Sequence, residues 1–351
     1  PQGTTFFANN QYGIKMAEEI CEAMACADQL RFVSSGSEAT LYAMRLARAY
    51  RKRDKILKFE GGYHGMSDYS LMSLAPTRLA NYPQALPDSA GIPKQVSNEV
   101  IIAPFNDIET VKSLINEYHD ELGGVIVEPF QRLIPPAPGF LEMLREITLK
   151  YEIPLIFDEI VTGFRFSYGG AQDYYGVTPD LCTLGKIIGG GFPVAAVCGH
   201  KDIMKHFDKA LVGEENFLPQ IGTLSGNPLA SVAGLATLNI LKPKSSYQKA
   251  FDTGRQLMEG LQAALQDNGH TAQITGEPVL FDVFFSNRKI ENYRDVLQSD
   301  TRKSRSFNQL LRKQKIFKSD SKFYVSLAHT QDDIDLTILA MNHAAKGLKE
   351  L

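Results

Sequence analysis

Two residues near the middle of the chain are placed to do chemistry together. Asp158 closes the apolar run Leu155-Ile156-Phe157, and Lys186 follows the run Leu181-Cys182-Thr183-Leu184 after one glycine. Apolar runs of this length, bounded by Gly and Pro, read as buried parallel strands. In open α/β sheets, ligands sit beyond the carboxyl ends of the strands. The carboxylate of Asp158 and the amine of Lys186 are therefore expected to face one crevice. Such a pair suits pyridoxal 5′-phosphate, which needs a lysine for its aldehyde and a carboxylate to keep its ring nitrogen protonated. Alone, the pair is a weak signal: a lysine after a strand is ordinarily solvated, and an aspartate there is often a helix cap.

The company these residues keep strengthens it. Ser35-Gly36-Ser37 lies between a strand and a helix, and such a helix start can hold an anion. A lone S-G-S is more often a plain N-cap, and Ser35 and Glu38 do have capping-box spacing. Thr223-Leu224-Ser225-Gly226-Asn227-Pro228 opens another helix in the same manner. Tyr63-His64 follows a strand and offers a flat ring for stacking, although the ordinary role there is an aromatic core edge. Together these segments put a phosphate cradle, a ring, a carboxylate and a lysine at strand ends of one sheet.

Other templates fail. No G-x-G-x-x-G follows the first strand, and a P-loop around Lys186 would need glycine where Asp180 stands. Neither H-E-x-x-H nor G-x-S-x-G occurs, and the histidines are too scattered for a zinc cluster, so no metal site is expected.

The elements that must position the site follow from pattern. Strands are expected at 29–34, 55–59, 100–104, 124–127, 155–157, 181–184 and 195–198. Helices are expected at 16–24, 39–53, 108–118 and 140–151, with a long Pro-rich loop over 73–97. Strands alternating with helices argue for a doubly wound, mainly parallel sheet. Residues 1–13 read as an irregular N-terminal segment, 14–241 as a large domain, and 242–351 as a smaller α+β domain beginning at Lys242-Pro243. In that smaller domain, 251–268 and 332–348 read as helices and 279–285 and 323–328 as strands. The basic residues Arg45, Arg48, Arg51, Lys52 and Arg53 are expected to complement a helix C-terminus and face water.

With 351 residues, the chain can bury one large core or two ordinary ones. Its net charge of −3 calls for neither nucleic acid nor an anionic membrane. No apolar run approaches a membrane span. The 4 cysteines form no C-x-x-C pair, which points to a reducing, cytoplasmic compartment. The chain opens on Pro1, and the expectation is that an N-terminal piece precedes it.

The segments SSGSEAT (34–40), FEGGYHG (59–65), VEP (127–129), FDEIVTGFR (157–165), YGGAQDYYGVTPDLCTLGKIIGGGFP (168–193), GTLSGNPLA (222–230) and VSLAHT (325–330) resemble class III pyridoxal-phosphate aminotransferases. The resemblance is strongest to the glutamate-1-semialdehyde aminomutase branch and runs from about residue 3 to the C-terminus. It implies a fold-type-I transferase, with a mainly parallel seven-stranded sheet in the large domain. It implies that Lys186 is the Schiff-base lysine, Asp158 the partner of the ring nitrogen and Ile160 the aliphatic residue beneath the ring. Ser35, Gly36 and Ser37 match the phosphate-binding turn and Tyr63 the stacked ring. His64 and Glu128 belong to the cofactor-binding motifs. Thr223 matches a threonine that reaches the phosphate of the other subunit, which implies a homodimer with shared sites.

Two departures bear on the reaction. Val161 stands where many relatives have glutamine, and 317–324 lacks the glutamate-bearing loop of the aminomutases. The expected activity is therefore transfer of an amino group from an amine or an ω- or β-amino acid to a keto acid such as pyruvate. A 2,1-aminomutase is the alternative, and a non-catalytic cofactor-binding protein a remote one. Arg132, just past a core strand, is a candidate for a substrate carboxylate, against a structural role on its turn.

Overall fold

The computed structural model describes residues 8–348. The chain forms two compact units, Pro1–Arg132 with Pro136–Lys242, and Leu133–Pro135 with Pro243–Leu351.

The first unit is built on a 7-stranded sheet. Its strands are β1 (Gln29–Val33), β2 (Lys55–Phe59), β3 (Val100–Ala103), β4 (Leu122–Val127), β5 (Leu155–Asp158), β6 (Leu181–Leu184) and β7 (Ala195–Gly199), in the order β1-β7-β6-β5-β4-β2-β3. All neighbours from β6 through β3 are parallel, whereas β7 runs antiparallel to both β6 and β1. Every residue of β3 to β7 is buried, as expected of strands covered on both faces. On one face, Ala43, Met44 and Ala47 of the helix Gly36–Arg51 pack against Ile56, Ile126, Ile156, Leu181 and Val197. Burial of each of the larger side chains contributes roughly 1.5–3 kcal/mol, so helix and sheet are held as one body. The parallel register sets Asp158 beside Thr183 at the carboxyl edge.

The helix expected over 16–24 begins earlier, at Gln11, because the Asn10 side chain accepts from the Gly13 N–H and caps it. Only part of the basic cluster faces water. The Arg48 guanidinium lies 4.0 Å over the Tyr69 ring, and Arg51 donates to the His119 carbonyl.

The second unit packs the helices Lys244–Asp267, Thr301–Lys313 and Gln331–Gly347 on an antiparallel sheet. The sheet has the order β10 (Phe323–Tyr324), β9 (Leu280–Phe284), β8 (Gln273–Glu277). Leu257, Leu261, Phe281, Phe307, Leu311 and Met341 form its core. The strand expected over 323–328 shrinks to two residues, after which the Val325 N–H turns to the Val279 carbonyl.

Candidate active site

A cavity of about 190 Å³ opens at the carboxyl edge of this sheet, lined by Gly36, Ser37, Thr40, Tyr63, Gly65, Glu128, Asp158, Ile160, Val161 and Lys186. The ends of four strands, β2, β4, β5 and β6, and one helix start build it.

The end of β5 supplies Asp158, which is 4% exposed and held from several sides. Its Oδ2 lies 2.8 Å from His64 Nδ1, and its Oδ1 accepts from Thr183 Oγ1 at 3.1 Å and from the Ile160 N–H at 3.2 Å. These contacts fix the carboxylate's orientation. Beyond β6, Gly185 passes the chain into a tight turn that opens on Lys186. The φ of Lys186 is 45°, a left-handed conformation uncommon for a residue with a side chain. Such backbone is held by its surroundings and clusters at functional sites. Lys186 is exposed, with its side chain on the cavity wall.

The floor comes from β1 and the helix after it. Ser35 caps the helix Gly36–Arg51, its Oγ accepting from the Glu38 N–H while Glu38 Oε2 accepts from the N–H groups of Ser34 and Ser35. First-turn N–H groups of a helix lack intrahelical partners and carry its positive end. Here that end lies at the cavity, with Gly36 and Ser37 on its wall. Gly36 is needed by Ile160, since a Cβ at position 36 would fall 3.1 Å from Ile160 Cδ1. Gly65 has a φ of +85° and packs so closely that its Cβ would lie 2.6 Å from the Ser37 Cα. Thr40 Oγ1 ties helix to loop through the His64 carbonyl at 2.6 Å.

Tyr63 is 44% exposed and borders the cavity, and its N–H donates to Glu128 Oε2 at 2.9 Å. Burial pushes Glu128's carboxyl above its ordinary range, against which the His64 ring and the Tyr63 N–H act.

The structure thus brings together Gly36, Ser37, Tyr63, Glu128, Asp158, Ile160 and Lys186. Ser35 caps the helix instead of lining the cavity, and His64 lies behind Asp158. Thr223 is exposed and is not part of this wall. Arg132, at φ 49°, donates to the Leu74 carbonyl at 3.3 Å and also stands outside the lining. Sequence reasoning passed over Thr40 and Gly65; the glycine in Tyr63-His64-Gly65 was the available signal. Among the described residues, no group of three or more His, Cys, Asp or Glu could hold a metal ion.

The aminotransferase class-III family model matches residues 4–313. The chain is similar to an omega-transaminase from Sphaerobacter thermophilus, with 35% identity over 99% of this chain and 80% of that one and a TM-score of 0.92. It is similar to a beta-phenylalanine aminotransferase from Variovorax paradoxus, with 30% identity over 99% and 77% and a TM-score of 0.86. A transaminase with PLP bound is 26% identical over 99% and 80%, with a TM-score of 0.88. The chain belongs to the class III aminotransferases.

Proposed function

We propose that this protein is a pyridoxal-phosphate-dependent transaminase that moves an amino group from an amine or an ω- or β-amino acid to a keto acid such as pyruvate. The observation that carries the reading is the single cavity on which Lys186, Asp158, Tyr63, Ile160 and the Gly36–Ser37 helix start converge.

The residues fit the cofactor. Gly36 and Ser37 would hold its phosphate, Tyr63 and Ile160 its two ring faces, Asp158 its ring nitrogen and Lys186 its aldehyde. When bound, the cofactor supplies an electron-accepting pyridinium ring. Asp158 would hold the proton on the ring nitrogen, its carboxylate fixed in orientation by His64 and Thr183. Lys186 would anchor the cofactor at its aldehyde, and its Nζ, when free, would be the group on this wall able to take a proton from a substrate carbon and return it, as a general acid–base. Tyr63 and Ile160 exclude water from the two faces. The Val161 side chain, also on the wall, has no polar atom with which to hydrogen-bond.

Thr223 belongs to the site of a second copy in this reading. Support comes from the next helix, Pro228–Leu241, which exposes Leu229, Val232 and Ile240, together with the exposed Ile221 and Leu224. Exposed apolar side chains of this kind are suited to an interface. Arg132 is assigned to a substrate carboxylate. A cytoplasmic location is supported by the 4 cysteines, all free; among the described residues no helix is long and apolar enough to cross a membrane.

The test is a panel of amines and amino acids with pyruvate and 2-oxoglutarate as acceptors. A transaminase consumes keto acid in step with amine. Turnover of one amino aldehyde without any keto acid would replace this reading with the aminomutase.

A further inference from the structure

The second unit holds a cavity of its own, about 410 Å³ in volume, a size suited to a small molecule. Its floor is apolar: Leu257, Phe323 and Ile334 belong to that unit's core. Phe317 stands on its wall and is 92% exposed, so its ring is not taken up by core packing.

Two polar side chains on this wall have a hydrogen to give. Lys318 is 7% exposed, and its Nζ lies 2.9 Å from Asp282 Oδ2 and 3.0 Å from the Ser319 carbonyl. A charged amine has three N–H groups, of which these two oxygens take two. Were the proton on Asp282 instead, the amine would accept from it and give one of its two N–H groups to Ser319. Either way one N–H remains. The Phe323 ring, its centre 4.8 Å away, is a weak substitute for an oxygen acceptor. The second donor is His329. The Ser326 N–H, which can only donate, meets its Nδ1 at 3.1 Å, so Nδ1 accepts. Nε2 then carries the ring's proton, as it also would in a charged ring. Asp333 lines the cavity too, but its Oδ2 accepts from the N–H and Oγ1 of Thr330 and caps the helix Gln331–Gly347.

We propose that this cavity binds a small monocarboxylate with an aromatic or branched aliphatic body. Two donors above an apolar floor complement the two oxygens of a carboxylate on such a body. Lys318 and His329 give their N–H groups to the oxygens. The apolar body lies on Leu257 and Ile334, with the Phe317 ring against it. The site stands on the second unit alone and does not depend on the reaction proposed above.

The probe is para-bromophenylacetate, titrated by calorimetry into the full-length, cofactor-loaded protein. Anomalous scattering from the bromine in crystals of the complex then shows where it sits. A bromine peak in this cavity is expected, and para-bromophenylacetamide should bind about tenfold more weakly or worse. Thr337→Trp, which fills the cavity from the helix Gln331–Gly347, should abolish the binding, and His329→Phe should weaken it. Thr337→Trp is preferred to Lys318→Met, which would strand the buried Asp282 without its cation. No binding at about 10 mM probe overturns the proposal. So does a bromine found only elsewhere, or binding that survives in Thr337→Trp. Equal affinity for the acid and the amide overturns the assignment to a carboxylate.

Discussion

The Lys58 amine, fully buried at the end of β2, lies 2.6 Å from the Met72 carbonyl and 2.8 Å from the Ser70 carbonyl. A neutral amine has two N–H donors, and these two carbonyls take both. Burial lowers the pKa of Lys58 from 10.5 to about 7, with Glu128 and Asp88 opposing the fall and Arg132 adding to it. The folded pKa is depressed, so between 7 and 10.5 the unfolded chain binds a proton that the folded chain does not. Stability should rise with pH across that window and be lost as pH falls through it, by an amount on the order of a few kcal/mol. Chemical denaturation at several pH values should show this slope in the parent protein and a flatter one in Lys58→Met. Parallel curves would mean that the amine keeps its proton.

Gly65 should be essential to the floor of the cavity. Alanine there meets both a left-handed φ and the Ser37 backbone at 2.6 Å. Strain of roughly 1–3 kcal/mol must be relieved by moving the helix start. Gly65→Ala should therefore weaken cofactor binding by about tenfold or more. Gly91→Ala is the control: its φ is +88°, but nothing lies within 4 Å of its Cβ. Fluorescence titration with the cofactor should separate the two variants; equal affinities would remove Gly65 from this role.

Parts of this site are legible from sequence because strand ends are. Asp158 and Lys186 each close or follow an apolar run, and the sheet's parallel register does the rest. Glu159, adjacent to Asp158, shows the limit. It is fully buried and accepts from the N–H groups of Ala171 and Gln172, the Gln172 amide and Thr162 Oγ1, contacts that no spacing announces. Gln131 likewise acquires its place only when the loop after β2 is folded against it and its amide donates to the Glu60 carbonyl. In the second unit, β8 is missed because Gln273-Ile274-Thr275-Gly276-Glu277 is half-buried throughout, without alternation. The helix Thr301–Lys313 is missed because its buried residues are few, Phe307, Asn308 and Leu311 with Leu310 partly buried beside them, in a basic sequence.

Shared sites predict complementation. Lys186→Ala removes the anchor from its own site, and Thr223→Glu sets a negative charge against the phosphate of the partner's site. Each homodimer should be inactive. In a mixed dimer, one site combines both defects and the other carries neither, so partial activity should return. Mixed dimers isolated through two different affinity tags and still inactive would show that Thr223 serves its own subunit or none.

Arg132 offers the sharpest test of substrate class. It follows β4 by a short turn, and its own φ of 49° and the 76° of Leu133 make that turn left-handed over two residues. The guanidinium donates to the Leu74 carbonyl at 3.3 Å, a long bond for a charged donor. Its charge also acts on Glu128, favouring the carboxylate form. An arginine held by one long bond can turn toward an incoming carboxylate and meet it with a planar, two-pronged contact. On that basis Arg132→Ala should raise KM for amino acids by the equivalent of about 1.5–3 kcal/mol. Amines lacking a carboxylate should be nearly unaffected. The two half-reactions should be followed separately at saturating keto acid, with one substrate of each kind. Arg132→Lys keeps the charge and loses the fork, so it should recover only part of the loss. Equal losses on both substrates, with cofactor still bound, would return Arg132 to bracing the Leu74 loop. In that event, the selectivity for carboxylates would have to come from another residue.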